Sequence, residues 1–167
     1  MIVTHDWTRI GAAAAFTGNV TFDGTSIISG NTTTFTTATV TATHSLQINA
    51  NAIATTGALT NNGTVTITGA LSGLNTLTNN GTVTLTNTGT LTGLSTLTNN
   101  GTVSIDSATV AIGATSIVNG GSSEVVYKGN TTSAWGPSYN KITLDNVANL
   151  SPGTIAGGTL SAASLSV

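Results

Sequence analysis

LTNNGTVTITGALSGLNT (59–76), LTNNGTVTLTNTGTLTGLST (77–96) and LTNNGTVSIDSATVAIGATS (97–116) are three versions of one unit. The string Leu-Thr-Asn-Asn-Gly-Thr-Val opens each, at Leu59, Leu77 and Leu97, so the period is 18 and then 20 residues. Two extra residues near Asn87 to Thr90 account for the longer step. An insertion of that size belongs at a turn, where added chain leaves paired strands undisturbed. Within a unit the residues alternate. Val65 and Ile67 fall on one side of Thr64-Val65-Thr66-Ile67-Thr68, and the three threonines fall on the other. Val83 and Leu85 repeat the pattern, as do Val103 and Ile105. A second apolar set, Leu71, Leu74 and Leu77, returns as Leu91, Leu94 and Leu97.

Such a unit cannot bury its apolar side alone, but a stack of units can. About five inward apolar side chains per unit are too few for a sheet buried on both faces, and they suit a narrow core ringed by short strands. The expectation is an all-β fold, a parallel β-solenoid (β-helix) with coils of about 18–22 residues. Stacking places Val65, Val83 and Val103 in one column and Ile67, Leu85 and Ile105 in another, about 4.8 Å per step. Leu59, Leu77 and Leu97 form a third. Asn62, Asn80 and Asn100 are expected to bond along the stack as a ladder. Gly63, Gly81 and Gly101 are expected to supply a backbone position with positive φ. The rival reading takes Asn-Gly as a hairpin turn, giving an antiparallel sandwich or propeller. Only Leu-Thr precedes each turn, however, and propeller blades need about 40 residues.

Composition agrees with strands and turns. Charged residues make up 5% of the chain, and none occurs between Asp23 and Asp106. Thr, Val and Ile favour strands, Asn and Gly favour turns, and the good helix formers Glu and Lys are nearly missing. Hydrophobic residues reach 38% and recur in register, which separates the chain from a disordered polar segment. No apolar run approaches the ~20 residues of a spanning helix, so no transmembrane segment is expected. Arg9, Lys128 and Lys141 are scattered, which argues against nucleic acid. The lack of cysteine leaves the redox compartment open.

Residues 1–167 read as a single solenoid domain, with 59–116 as the best-defined repeats and 117–167 as divergent coils. Weaker echoes include Val20-Thr21-Phe22, Leu46-Gln47-Ile48, Val125-Val126-Tyr127 and Ile142-Thr143-Leu144. Residues 1–18, with His5, Asp6, Trp7 and Arg9, read as an N-terminal cap or docking segment. The last residues still alternate small polar and apolar, as in a piece of a longer protein or a filament subunit. Asp6 and Arg9 interrupt any leader pattern, so an extracellular location assumes a signal peptide not present in this chain.

The pattern Leu-x-Asn-x-Gly-x-Val/Ile-x-Ile/Leu at this spacing resembles the repeats of filamentous-haemagglutinin-type adhesins and autotransporter passengers. Glu124 to Gly129 followed by Tyr139 to Leu144 resembles an element of large repetitive surface proteins. The likeness covers 59–105 well and 120–167 loosely. It implies a right-handed parallel β-helix and export, and it carries over no catalytic residue.

Chemistry is sparse. The carboxylates Asp6, Asp23, Asp106, Glu124 and Asp145 are dispersed, where a glycosidase needs a pair. His5 and His44 are the only imidazoles, so neither a metal site nor a cofactor is expected. The serines and threonines lack a paired base. The chain therefore reads as no enzyme. Asp106 reads as a lone outer charge guarding against aggregation. The Asn-Gly-Thr triplets at 62, 80 and 100 are glycosylation sequons but also simply turn plus strand start. Thr64, Thr66, Thr68, Thr82, Thr84 and Thr86 form a candidate ligand face resembling the ice-binding surface of some antifreeze proteins. Trp135, Tyr139 and Tyr127 could stack on a sugar ring or plug a loop over the core. The leading expectation is a structural or adhesive module of a secreted or cell-surface protein that self-associates into fibres or extends a longer adhesin. Its alternative is a module binding glycan or ice through an outer threonine or aromatic face.

Overall fold

The computed structural model describes residues 1–4, 7–9, 14–30, 32–49, 53–86, 88–106, 112–129, 140–145 and 159–160. These residues form strands and turns only, and every strand pairing is parallel. The chain winds as a β-solenoid of coils of about 20 residues. Parallel pairing of equivalent segments rules out the hairpin reading.

One coil shows the path. Strand Thr64–Ile67 leads through a corner at Thr68-Gly69 to strand Ala70–Ser72. Gly73, at φ 71°, then lets the chain bend around buried Leu74 before strand Thr76–Asn79. Asn80-Gly81 closes the turn, and Thr82–Thr86 lies directly over Thr64–Ile67. Thr64–Ile67 and its equivalents make a nine-stranded sheet, and the remaining strands make an eight-stranded one. The two-residue difference between coils is absorbed at a corner. Leu85 pairs with Ile67 and Thr90 with Ala70, so the extra residues lie between Thr86 and Thr90.

Period two decides what faces inward. Val65, Val83 and Val103 are in register, as are Ile67, Leu85 and Ile105, and all six are buried. The two columns continue through Leu46 and Ile48 on one side and Val125 and Tyr127 on the other. Leu59, Leu77 and Leu97 form the opposing column, extended by Ala38 and Val20. Fully burying such a side chain stabilises by roughly 1.5–3 kcal/mol. Fixing one residue's backbone costs about 1–2 kcal/mol. The apolar positions of a lone coil therefore cannot offset its ordering, and the stack is the folding unit.

Gly63, Gly81 and Gly101 do not have positive φ, contrary to expectation. Their requirement is closeness. A Cβ on Gly81 would lie 2.1 Å from the Gly63 carbonyl oxygen, and one on Gly101 would lie 2.1 Å from that of Gly81. A Cβ on Gly63 would lie 2.2 Å from the His44 oxygen. The corners stack so tightly because hydrogen bonds continue through them. The Thr82 amide donates to the Gly63 oxygen at 2.9 Å and the Thr102 amide to the Gly81 oxygen at 2.8 Å. Trp7–Arg9 pairs with the strand Thr25–Ile28, and Thr159–Leu160 pairs with Lys141–Asp145, so the backbone carries the stack towards both ends.

Candidate functional site: asparagine corners and threonine faces

Two asparagine ladders climb the corner, side by side. The outer one is Asn62, Asn80 and Asn100, all exposed. The Asn80 Nδ2 donates to the Asn62 Oδ1 at 2.9 Å, and the Asn100 Nδ2 donates to the Asn80 Oδ1 at 2.9 Å. The amides of all three sequons are thus drawn into one row.

The inner ladder was not read from the sequence. Asn61, Asn79 and Asn99 are fully buried. The Asn61 Nδ2 donates to the Asn79 Oδ1 at 2.8 Å, and the Asn79 Nδ2 donates to the Asn99 Oδ1 at 2.9 Å. The second N–H of each amide reaches a backbone oxygen one coil on, Thr82 for Asn61 and Thr102 for Asn79, both at 2.9 Å. The Gly63 amide donates to the Asn61 Oδ1 at 3.1 Å. These backbone partners fix which amide atom is oxygen. A buried amide so satisfied avoids the penalty of an orphaned polar group. The inner row donates towards the C-terminal coils and the outer row towards the N-terminal coils, so their amide dipoles oppose. The signal was available: counting by two from inward Leu59 puts Asn61 inward.

The expected threonine ligand face lies on the outside of the nine-stranded sheet. Thr64, Thr82 and Thr102 form one row. Thr66, Thr84 and Ser104 form the next, and Thr86 pairs with Asp106 in the third, with Thr68 in the corner past the end of its strand. The array is short-lived. Glu124, Val126 and Lys128 follow in the next strand, then Lys141, Thr143 and Asp145. The Thr68 hydroxyl is engaged by the Ile48 carbonyl at 3.1 Å, and the Thr86 hydroxyl is buried. Across the break runs an open groove of about 490 Å³, between Thr84 and Ser104 on one side and Val126, Thr143 and Asp145 on the other.

Charges on this face come in opposed neighbours, because in-register stacking would otherwise set like charges one rung apart. Lys141 lies 3.0 Å from Glu124, and Lys128 lies 3.9 Å from Asp145. The Thr143 hydroxyl, then the Lys141 ammonium, bond to the Glu124 carboxylate and lower its pKa against the opposing effect of burial. Asp106 is exposed.

One further polar cluster spans the two corners that precede the asparagines. The Thr41 hydroxyl donates to the Asp23 Oδ1 at 2.7 Å and lies 2.8 Å from the His44 Nδ1. That nitrogen is 3.2 Å from the same carboxylate oxygen. The turn holds Thr43 at φ 68°, an unfavourable value for a β-branched residue. The cluster ties the corner together where the sequence offers no Asn-Gly. No group of three or more His, Cys, Asp or Glu is gathered among the described residues.

Of the aromatic residues singled out between 127 and 139, Tyr127 alone lies among the described residues. Tyr127 is fully buried, because it falls on the inward phase of its strand, in register with Ile105 and Leu144. Trp135 and Tyr139 lie outside the described residues, as do His5 and Asp6. No helix among the described residues is long and apolar enough to cross a membrane. No family model, curated protein or solved structure matches this chain.

Proposed function

We propose that the chain is a structural repeat module of a secreted or cell-surface protein. It would act by extension and cohesion, either as part of a longer adhesin or by associating with further copies into fibres. The observation that carries this reading is axial continuity. Backbone pairing, apolar columns and two amide ladders all run along one axis and leave each coil complementary to the next. The adhesin-like repeat pattern supports the same reading. A near-uncharged chain also meets little repulsion when copies approach. Electron microscopy and light scattering over rising concentration test it. Rods of constant width whose length grows with concentration support fibre formation. Compact particles of unchanging size, with no rod outline, would overturn the structural reading.

The groove beside Thr84 favours a second reading, a module that binds a neutral glycan. Its Thr84 hydroxyl offers both a donor and an acceptor, the Thr143 hydroxyl, which donates to Glu124, keeps an acceptor, and Val126 offers an apolar floor. A glycan array with the full chain, repeated with Thr84→Lys, tests it. Binding that the substitution leaves unchanged would remove this site from consideration.

A further inference from the structure

The eight-stranded sheet carries a second threonine array, longer and cleaner than the expected one. Its outward row runs Ile2, Thr21, Thr39, Thr60, Thr78, Thr98, Val118, each paired in register with the next. Five consecutive threonines are thus bracketed by two of the most exposed large hydrophobic residues, Ile2 at 69% and Val118 at 51%. Every residue of the row is β-branched, so every rung presents a methyl group. A neighbouring outward row holds Thr37, Ala58, Thr76, Thr96 and Ser116.

Three features set this face apart. Neither row contains a charge. Among the described residues, none of the five hydroxyls in the first row forms a hydrogen bond, which leaves them to face an outside partner. The backbone beneath is tied on both sides by the parallel ladder, and the buried Asn79 and Asn99 amides end two of its strands. The groups therefore hold a fixed grid, about 4.8 Å between rungs and about 6.6 Å between rows.

We propose that this face binds the surface of ice. A charge-free grid gives an ionic ligand nothing to pair with. The two rows offer no aromatic ring for a sugar to stack on. A second copy is poorly served: seven rungs by four residues cover about 400 Å² per copy, about 800 Å² in all, short of the roughly 1,200–2,000 Å² of a stable interface. What the grid does fit is a partner that is itself periodic. Ice presents oxygen atoms in rows at similar spacings, able to bond to many hydroxyls at once. The methyl groups between them exclude loosely held water. Such binding gains from repetition, since each rung adds a contact already ordered by folding.

The test is thermal hysteresis and ice recrystallisation inhibition with the full chain. The wild-type protein is expected to show both. Thr78→Lys, at the centre of the row, and Thr98→Tyr, which keeps a strand-favouring residue but breaks the flat surface, are expected to abolish both while circular dichroism stays unchanged. Gln47→Lys, an added charge on the other sheet, is expected to leave both intact. A folded wild-type chain with no effect on ice overturns the proposal. So does equal loss in Gln47→Lys, or a concentration-dependent dimer that Thr78→Lys disrupts, since the face would then be covered by a second copy.

Discussion

Replacing Asn79 or Asn80 with alanine removes the same amide from adjacent positions, yet the costs should differ several-fold. Asn79 is buried and takes part in three hydrogen bonds: one accepted from Asn61 at 2.8 Å, and two donated, to Asn99 and to the Thr102 carbonyl, at 2.9 Å each. Each bond contributes a net ~1 kcal/mol, and a buried group left without its partner costs ~1–3 kcal/mol. Asn79→Ala deprives Asn61 of an acceptor and Asn99 of a donor where water does not reach. The expected loss is about 3–6 kcal/mol. Asn80 also bonds to the rungs on both sides, but it is exposed, so water replaces what alanine removes. Its loss should be about 0.5–1 kcal/mol. The assay is urea unfolding followed by far-ultraviolet circular dichroism. With a slope near 2 kcal/mol per molar, Asn79→Ala should move the midpoint by about 1.5–3 M and Asn80→Ala by under about 0.5 M. Equal shifts for the two variants would refute the argument that burial, and not ladder membership, sets the value of each amide.

Two other outcomes follow from the same geometry. Gly81→Ala should destabilise by about 1–3 kcal/mol or more although its φ is ordinary, because the new Cβ would meet the Gly63 oxygen at 2.1 Å. Gly121→Ala, where a Cβ meets nothing within 4 Å, should stay within about 0.5 kcal/mol. Thermal melts separate them, at about 2–4 °C per kcal/mol for a chain of this size, and similar melting temperatures would sink the close-approach account. Glu124 has a folded pKa below its unfolded value, so its contribution is present above about pH 4.3 and is lost as pH falls through the lowered folded value. Glu124→Gln should therefore flatten the acid limb of the melting temperature over about two to three pH units around and below the usual carboxylate titration. An acid limb identical to wild type would show that the Thr143 and Lys141 contacts do not hold the carboxylate in solution.

The repeat at Leu59, Leu77 and Leu97 and the alternation inside each unit determined the class of fold, because one gives each strand its partner and the other its inward face. Val65, Val83 and Val103 could be placed in one column from spacing alone, and the position of the two-residue insertion followed as well. What the stack alone decided depends on distances between coils. Gly81 is required by the carbonyl beneath it, a contact with no trace in its own neighbourhood, whereas Asn-Gly pairs usually signal a left-handed turn. Asn61 sits on the inward phase, but a lone amide there looks unfavourable until the next coil supplies its partners. Thr60, Thr78 and Thr98 follow the repeated leucines and share their spacing, but that Thr21 and Thr39 continue the row depends on the register of strands outside the clear repeat, which only the stack sets. Local sequence encodes the direction each side chain points. The neighbours it meets along the axis are settled by how the coils come to rest on one another.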